Sequence, residues 1–216
     1  EALSLEGLPD SAAIIGGGVI GMEFAGLFSS LGAKVTVIEM LPEILPMFDG
    51  EIVSILKGVL ERKGVVFHTS SRVLGVEKKA GALALSVETP EGPVQLEAEK
   101  VLLSTGRRPV TRGLGLEEAG VKVGHGRIIV NEKMETSAKG VYAVGDCASP
   151  IMLAHVASRE GEVAAENALG LPSVMDYKTV PSAVYTSPEI ASAGLTEKEA
   201  LEKGHKVKVG RFPLMA

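Results

Sequence analysis

Residues 12 to 24, Ala-Ala-Ile-Ile-Gly-Gly-Gly-Val-Ile-Gly-Met-Glu-Phe, constrain the chain more than any other stretch. Three of the glycines, Gly16, Gly18 and Gly21, are spaced G-x-G-x-x-G. They follow a short apolar run and open a segment in which Ile20, Phe24, Leu27, Phe28 and Leu31 recur at helical spacing, with Gly32 as the stop. An alternating, β-branched run from Lys34 comes next and ends in an acid, Glu39, 23 positions after Gly16. A strand, a glycine turn, a helix and a second strand tipped by an acid form the fingerprint of a dinucleotide site. Gly16 permits the tight turn, Gly18 lets the backbone approach a pyrophosphate, and Gly21 lets helix and strand pack closely. The helix N-terminus adds free N–H groups and partial positive charge. Glu39 can accept hydrogen bonds from ribose hydroxyls and repels a 2′-phosphate, and residues 40–50 supply no Lys or Arg, so NAD is expected over NADP. FAD uses the same fingerprint, so the loop alone leaves the dinucleotide open. Glu23 reads as a first-turn residue, where a carboxylate stabilises the helix dipole.

Downstream, residues 41–48 are a proline-punctuated loop. Residues 51–64 read as a helix with Ile52, Ile55, Leu56, Val59 and Leu60 on one face, and residues 64–70 as a third strand. Short alternating segments broken by Gly81 and Pro90-Glu91-Gly92 read as antiparallel strands inserted before a last apolar strand at 101–105. This α/β domain closes near Arg108. Residues 110–140 are loop-rich, with a short helix expected around Leu116–Ala119. Residues 141–146 are expected as a strand, and 150–170 as a long helix with Leu153, Val156, Val163 and Ala164 among its apolar positions. Beyond 175 the expectation is strand, strand, helix, strand. Thr196 and Glu199 form a capping box that starts that helix.

With 45% hydrophobic residues, the 216-residue chain has ample material for a core. A net charge of −5 argues against nucleic acid or an anionic membrane as the main partner. No run approaches the roughly 20 apolar residues of a membrane-spanning helix, and no signal-peptide pattern opens the chain. The single cysteine, Cys147, excludes an internal disulfide and agrees with a reducing, cytoplasmic setting. His68, His125 and His205 belong to no motif, and no Cys/His spacing suggests a metal. The chain begins at Glu1 without an initiator methionine and ends on an apolar run, so a piece of a longer protein is expected.

Taken together, residues 16–39, Val101–Pro109 (VLLSTGRRP), Val141–His155 (VYAVGDCASPIMLAH) and Val180–Ala200 (VPSAVYTSPEIASAGLTEKEA) resemble the disulfide-containing flavoprotein oxidoreductases. Within them the match is to the dihydrolipoamide dehydrogenase branch. The resemblance implies an α/β chain: a Rossmann-like NAD-binding domain over 1–108, in which a parallel sheet carries an antiparallel insert. The C-terminal half of an FAD-binding domain would follow over 109–174, and the start of an α+β dimerisation domain over 175–216. It implies that Gly16, Gly17, Gly18, Val19, Ile20, Gly21, Met22, Glu23 and Glu39 hold NAD, with Val73 against the adenine and Gly106 closing on the nicotinamide side. Glu23 would then sit beside the nicotinamide. Asp146 would meet the ribityl and phosphate region of FAD, and Met152, Leu153, Ala154 and His155 would run along the flavin. His155 is thereby a flavin neighbour and not a proton shuttle.

The family's redox pair, C-x-x-x-x-C, belongs upstream of residue 1, and its catalytic His with a Glu partner belongs beyond Ala216. No catalytic residue is expected in this chain, and no lipoamide turnover by the chain alone. Cys147 occupies a position without a redox role and is expected to be a small buried residue. The implied partners are a second copy of the protein and the lipoyl and subunit-binding domains of 2-oxo acid dehydrogenase complexes. Two alternatives stay open: another NADH-linked disulfide or flavin reductase, and a stand-alone, non-catalytic NAD-binding module.

Overall fold

The apolar run before the glycines becomes β1 (Ser11–Ile15), with Ala12, Ala13 and Ile14 buried. Burial of adjacent residues means that both faces of the strand are covered, as in a parallel sheet. The computed structural model describes residues 2–213, which divide into two compact units. One comprises the chain up to Gly106 together with the stretch from Pro181, and the other comprises Arg107–Val180.

In the first unit β1 leads through the glycine turn into α1 (Val19–Ser30), then β2 (Lys34–Ile38), α2 (Gly50–Arg62) and β3 (Val66–His68). An antiparallel sheet of β4 (Arg72–Lys79), β5 (Ala82–Thr89) and β6 (Gly92–Ala98) is inserted before β7 (Lys100–Leu103). Strands β3-β2-β1-β7, in that order, make a parallel sheet. Ile14, Val35 and Val37 on one face pack with Met22, Leu56 and Leu60 of the two helices. Ala13 and Ile38 on the other face pack with Leu85, Val87 and Ala98 of the antiparallel insert. The α/β class expected from the sequence is the class observed.

Both helices turn inward a face that overlaps the expected one only in part: Phe24 and Phe28 of α1 and Leu56 and Leu60 of α2 meet the core as expected, and the others do not. α1 buries Gly21, Met22, Ala25, Gly26 and Phe28, while Ile20, Leu27 and Leu31 are exposed. α2 buries Val53, Leu56 and Leu60, while Ile52 and Ile55 are exposed. Each helix carries apolar residues on more than one side, and only one stripe at three- and four-residue spacing meets the sheet. For α1 that stripe is rich in small residues, which let the helix lie close to the strands.

The second unit has a short hairpin, β8 (Val123–Gly124) with β9 (Arg127–Ile128), and one long helix, α3 (Ala154–Ala168). Three expectations change here. The helix expected at 116–119 is a single turn, closed by the Ala119 N–H on the Gly115 carbonyl at 3.1 Å. Residues 141–146 do not form a strand: Tyr142 makes one isolated bridge to Glu135, and Gly145–Cys147 curl into a 3-10 turn. The bridge consists of the Thr136 N–H on the Val141 carbonyl and the Ala143 N–H on the Met134 carbonyl, and the pairing is not continued into a ladder, so strand-like composition does not yield a strand. α3 begins at Ala154 and not near Pro150, because Leu153 is still extended.

The remaining stretch rejoins the first unit. β10 (Pro181–Val184) pairs with β11 (Ile190–Ala193), and Val184 and Ile190 are buried in the same core as α1 and α2. α4 (Glu197–Glu202) starts at the expected capping box: the Thr196 hydroxyl accepts from the Glu199 N–H, and the Glu199 carboxylate accepts from the Thr196 N–H. The strand expected over 205–212 does not form, and Arg211 instead donates to the Glu51 carboxylate at 2.8 Å. The last residues of the expected apolar run, 214–216, lie outside the described residues.

The Thr196 backbone N–H, then the Thr196 hydroxyl, hold the Glu199 carboxyl below its ordinary value of 4.5. A depressed folded-state pKa means that the box stabilises α4 above that ordinary value and loses its effect as pH falls through the lower folded value. Amide protection over 197–202, followed downward from pH 6, is therefore expected to weaken below about pH 4.5. Glu199→Gln is expected to remove that pH dependence.

Candidate functional site at the strand ends

A crevice of about 480 Å³ opens at the carboxyl ends of β1, β2 and β7. Here the order of the parallel sheet reverses, with β2 on one side of β1 and β7 on the other. Open α/β sheets place their ligands at such a point. Gly16, Gly18, Glu39, Val73 and Gly106 all line this crevice, so the fold gathers residues spread over ninety positions of sequence.

The four glycines of the loop answer to different demands. Gly16 has φ +109, and a Cβ there would stand 2.5 Å from the Ser104 carbonyl oxygen. A Cβ on Gly17 would lie 2.8 Å from the Ile44 side chain, and one on Gly21 would run into the Gly16 carbonyl. Gly18 is unlike these. It has φ −76, which any residue adopts, and a Cβ on it would meet nothing within 4 Å. Protein packing does not require glycine at this position, whereas a ligand pressed against the backbone would. The donor set agrees, because Gly18 is the N-cap of α1 and no side chain caps that end.

Glu39 stands just beyond β2, half-buried. Its Oε2 accepts from the Gly17 N–H at 2.5 Å and its Oε1 from the Leu41 N–H at 2.7 Å. The carboxylate thus braces the glycine loop, a role that its position in the sequence did not disclose. With about four acceptor sites on two oxygens, it retains capacity for two further donors, as a ribose diol would supply.

Other candidates fall elsewhere. Met22 is fully buried in the core, and Val19 packs against that core from the edge. Ile20 is partly exposed on the first turn of α1. Glu23 lies in the second turn, not the first as expected, so the dipole has little hold on it. Its Oε1 instead accepts from the Tyr185 N–H at 3.0 Å and ties α1 to the end of β10.

Two crevice residues escaped the sequence reading. The Ser104 hydroxyl lies 3.0 and 2.9 Å from the carbonyl oxygens of Ile15 and Gly16 and locks the glycine turn to the end of β7. Arg72, at the start of β4, lines the same crevice as Glu39. The absence of Lys and Arg from 40–50 therefore did not leave the site without a cation: β4 brings one in from outside the searched window. The Ser71 N–H, bonded to the Glu39 carbonyl at 2.9 Å, carries the chain into that position.

In the second unit Asp146 is exposed on the Gly145–Cys147 turn. Met152 and Leu153 are half-buried in the extended approach to α3, and Ala154 and His155 are exposed on its first turn. Cys147, expected to be buried, is only half-buried, and its Sγ lies 3.4 Å from the Val144 carbonyl. The turn is supported from within by Glu160 of α3, whose carboxyl reaches the Gly145 N–H at 2.7 Å. An exposed carboxylate displayed on a braced turn suits a polyhydroxy ligand such as the ribityl chain of FAD.

Residues 1–161 match the family described as pyridine nucleotide-disulphide oxidoreductase, and residues 180–216 match the dimerisation domain of the same family. The chain belongs to the pyridine nucleotide-disulphide oxidoreductases. Members of this family use FAD and NAD(H). The chain is 50% identical to a dihydrolipoyl dehydrogenase of Thermus scotoductus over 98% of its length, and 44% identical to that of Bacillus subtilis over all of it. It spans 46% of each relative, about half the length of the curated proteins it matches. Among solved structures, LpdA of Mycobacterium tuberculosis superposes with a TM-score of 0.85 at 32% identity, over 92% of this chain and 43% of that one. The HOCl-induced flavoprotein disulfide reductase RclA of Escherichia coli superposes with a TM-score of 0.89 at 29% identity, over 100% and 49%. Among the described residues no helix is long and apolar enough to cross a membrane.

Proposed function

We propose that this chain is the nucleotide-binding part of a dihydrolipoyl dehydrogenase, a cytoplasmic, homodimeric flavoprotein that oxidises dihydrolipoamide to lipoamide and reduces NAD⁺ to NADH. Residues 1–108 form its NAD domain, 109–174 the returning half of its FAD domain, and 175–216 the start of its dimerisation domain. The observation that carries the reading is Gly18, the one loop glycine that protein packing leaves unexplained, set across a crevice from a carboxylate with acceptor sites to spare. NAD fits this arrangement. Its pyrophosphate would lie on the Gly18 backbone at the N-terminus of α1, its adenosine ribose on Glu39, and its adenine against Val73. Gly106 closes the nicotinamide side. Asp146 and the residues 152–155 form one wall for FAD.

When bound, FAD carries an electron pair from a dithiol to the nicotinamide. The residues of this chain do not take part in that exchange. They hold the nicotinamide nucleotide in register and exclude water with an apolar rim that includes Met40, Leu41 and Met47. The dithiol and the acid–base pair would come from the rest of the protein, whose partners would be lipoyl and subunit-binding domains of 2-oxo acid dehydrogenase complexes.

Arg72 favours a second reading, an NADPH-linked disulfide reductase, because a guanidinium suits a 2′-phosphate. Titration of the chain with NADH and NADPH, followed by nucleotide fluorescence, separates the two. NADH is expected to bind at least about tenfold tighter, a difference of about 1.4 kcal/mol. Equal affinities would overturn the assignment to dihydrolipoyl dehydrogenase. Lipoamide turnover by the 216-residue chain alone is expected to be nil, and measurable turnover would overturn the placement of the redox groups outside it.

A further inference from the structure

Glu160 is the one charged side chain among the described residues that is fully buried, with an exposure of 0%. A carboxyl group removed from water is costly unless donors converge on it. Two do. The Gly145 N–H donates to Oε2 at 2.7 Å and the Tyr177 hydroxyl to Oε1 at 2.6 Å. Burial first, then the hydrogen bond to Glu160, raise the Tyr177 phenol well above its ordinary range, so it stays a donor across the physiological range.

The other end of this bond is the turn that displays Asp146. Gly145 has φ +73, and its carbonyl accepts the Ala148 and Ser149 N–H groups at 2.9 and 2.7 Å. A Cβ on Gly145 would stand 3.3 Å from the Ala157 side chain of α3. Both backbone polar groups of Gly145 are therefore committed, and the turn is pressed onto the helix that carries Glu160. An apolar residue in place of Glu160 would avoid burying a carboxyl but would leave the Gly145 N–H unpaired in the interior. The demand for Glu160 comes from the turn.

We propose that Glu160, itself held by Tyr177, is a positioning residue for the flavin: by fixing the Gly145 N–H it sets the direction in which Asp146 meets the ribityl and phosphate region of FAD. This rests on the reading of Asp146 given above. Glu160 touches no ligand and acts only through the turn, so its effect must vanish when Asp146 has no carboxylate to aim.

The test is a double-mutant cycle on the whole flavoprotein, stripped of FAD and reconstituted, with FAD affinity read from flavin fluorescence and NADH affinity as a control in the other unit. Glu160→Ala is expected to weaken FAD about tenfold and Tyr177→Phe about threefold, with NADH binding unchanged. Combined with Asp146→Ala, either change is expected to add little. Where Glu160→Ala does not yield folded protein, Tyr177→Phe carries the comparison, because it removes one hydroxyl and keeps the ring. If both variants weaken FAD equally with and without Asp146, the role is structural support alone and the proposal fails. If neither changes FAD affinity while Asp146→Ala lowers it, the proposal fails and the reading of Asp146 stands. If Asp146→Ala binds FAD as the parent does, that reading fails and the proposal with it.

Discussion

Gly18→Ala is expected to leave the stability of the first unit nearly unchanged and to weaken NADH binding at least about thirtyfold, about 2 kcal/mol. The two halves of this expectation have separate causes. In the protein, a Cβ at residue 18 meets nothing within 4 Å, and φ −76 is open to alanine. Alanine is a poorer N-cap than glycine by several tenths of a kcal/mol or more. Its stiffer unfolded chain returns about 0.4–1 kcal/mol. The net effect on the melting temperature should stay within about 2 °C. In the proposed complex, the same Cβ would occupy the space through which a pyrophosphate would approach the α1 N-terminus. Thermal unfolding and a fluorescence titration on one preparation check both halves. A variant that binds NADH as the parent does would mean that the crevice holds no pyrophosphate at Gly18.

Gly21→Ala is expected to do the opposite first and reach the same loss by another route. Its Cβ would run into the Gly16 carbonyl oxygen, and the Ser104 hydroxyl lies 2.8 Å away on the same side. The obstacle is backbone on the β1 side, so relief requires moving α1 off the sheet. That helix buries Met22, Ala25 and Phe28 in the main core, and prising it outward loosens those contacts too. Overpacking typically costs 1–3 kcal/mol, and a clash with backbone places this case at about 3 kcal/mol or above, a fall of roughly 10 °C in melting temperature. NADH binding should fall with it, because the displaced helix carries the N–H groups proposed to meet the pyrophosphate. Denaturant unfolding of the two variants side by side is the measurement. A stability loss at Gly18 equal to that at Gly21 would contradict the division of labour between these glycines.

How much of this was legible beforehand depends on how local the cause was. The order of strand, glycine turn, helix, strand and acid could be read because each element is announced within a few residues. So could the Thr196–Glu199 box, whose two hydrogen bonds join residues three apart. The inward faces of α1 and α2 could be read only in part, through Phe28, Leu56 and Leu60. Leu27 and Ile55 are as apolar as the residues that are buried, and which stripe turns inward depends on where the sheet stands. Residues 141–146 read as a strand on composition, yet a strand exists only where a neighbour accepts its hydrogen bonds, and here one bridge is all that forms. Glu160 carries no local signal, because the group that requires it is the Gly145 N–H, fifteen residues earlier.

The sequence by itself determined the strand, the glycine turn with the acid that follows it, the α/β class and the family resemblance, because these rest on backbone requirements that only certain residues meet at fixed spacing. Tertiary structure alone decided that Glu39 braces the loop it was expected to serve and that Ser104 ties that loop to β7. It also decided that Arg72 enters the crevice and that a buried carboxyl holds the Asp146 turn. Three of these are polar contacts between positions distant in the chain, and Arg72 reaches the crevice through the path of the backbone into β4. Hydrogen bonds and burial act over a few ångströms of space, and no local pattern in the sequence records which distant residues the fold brings within that range.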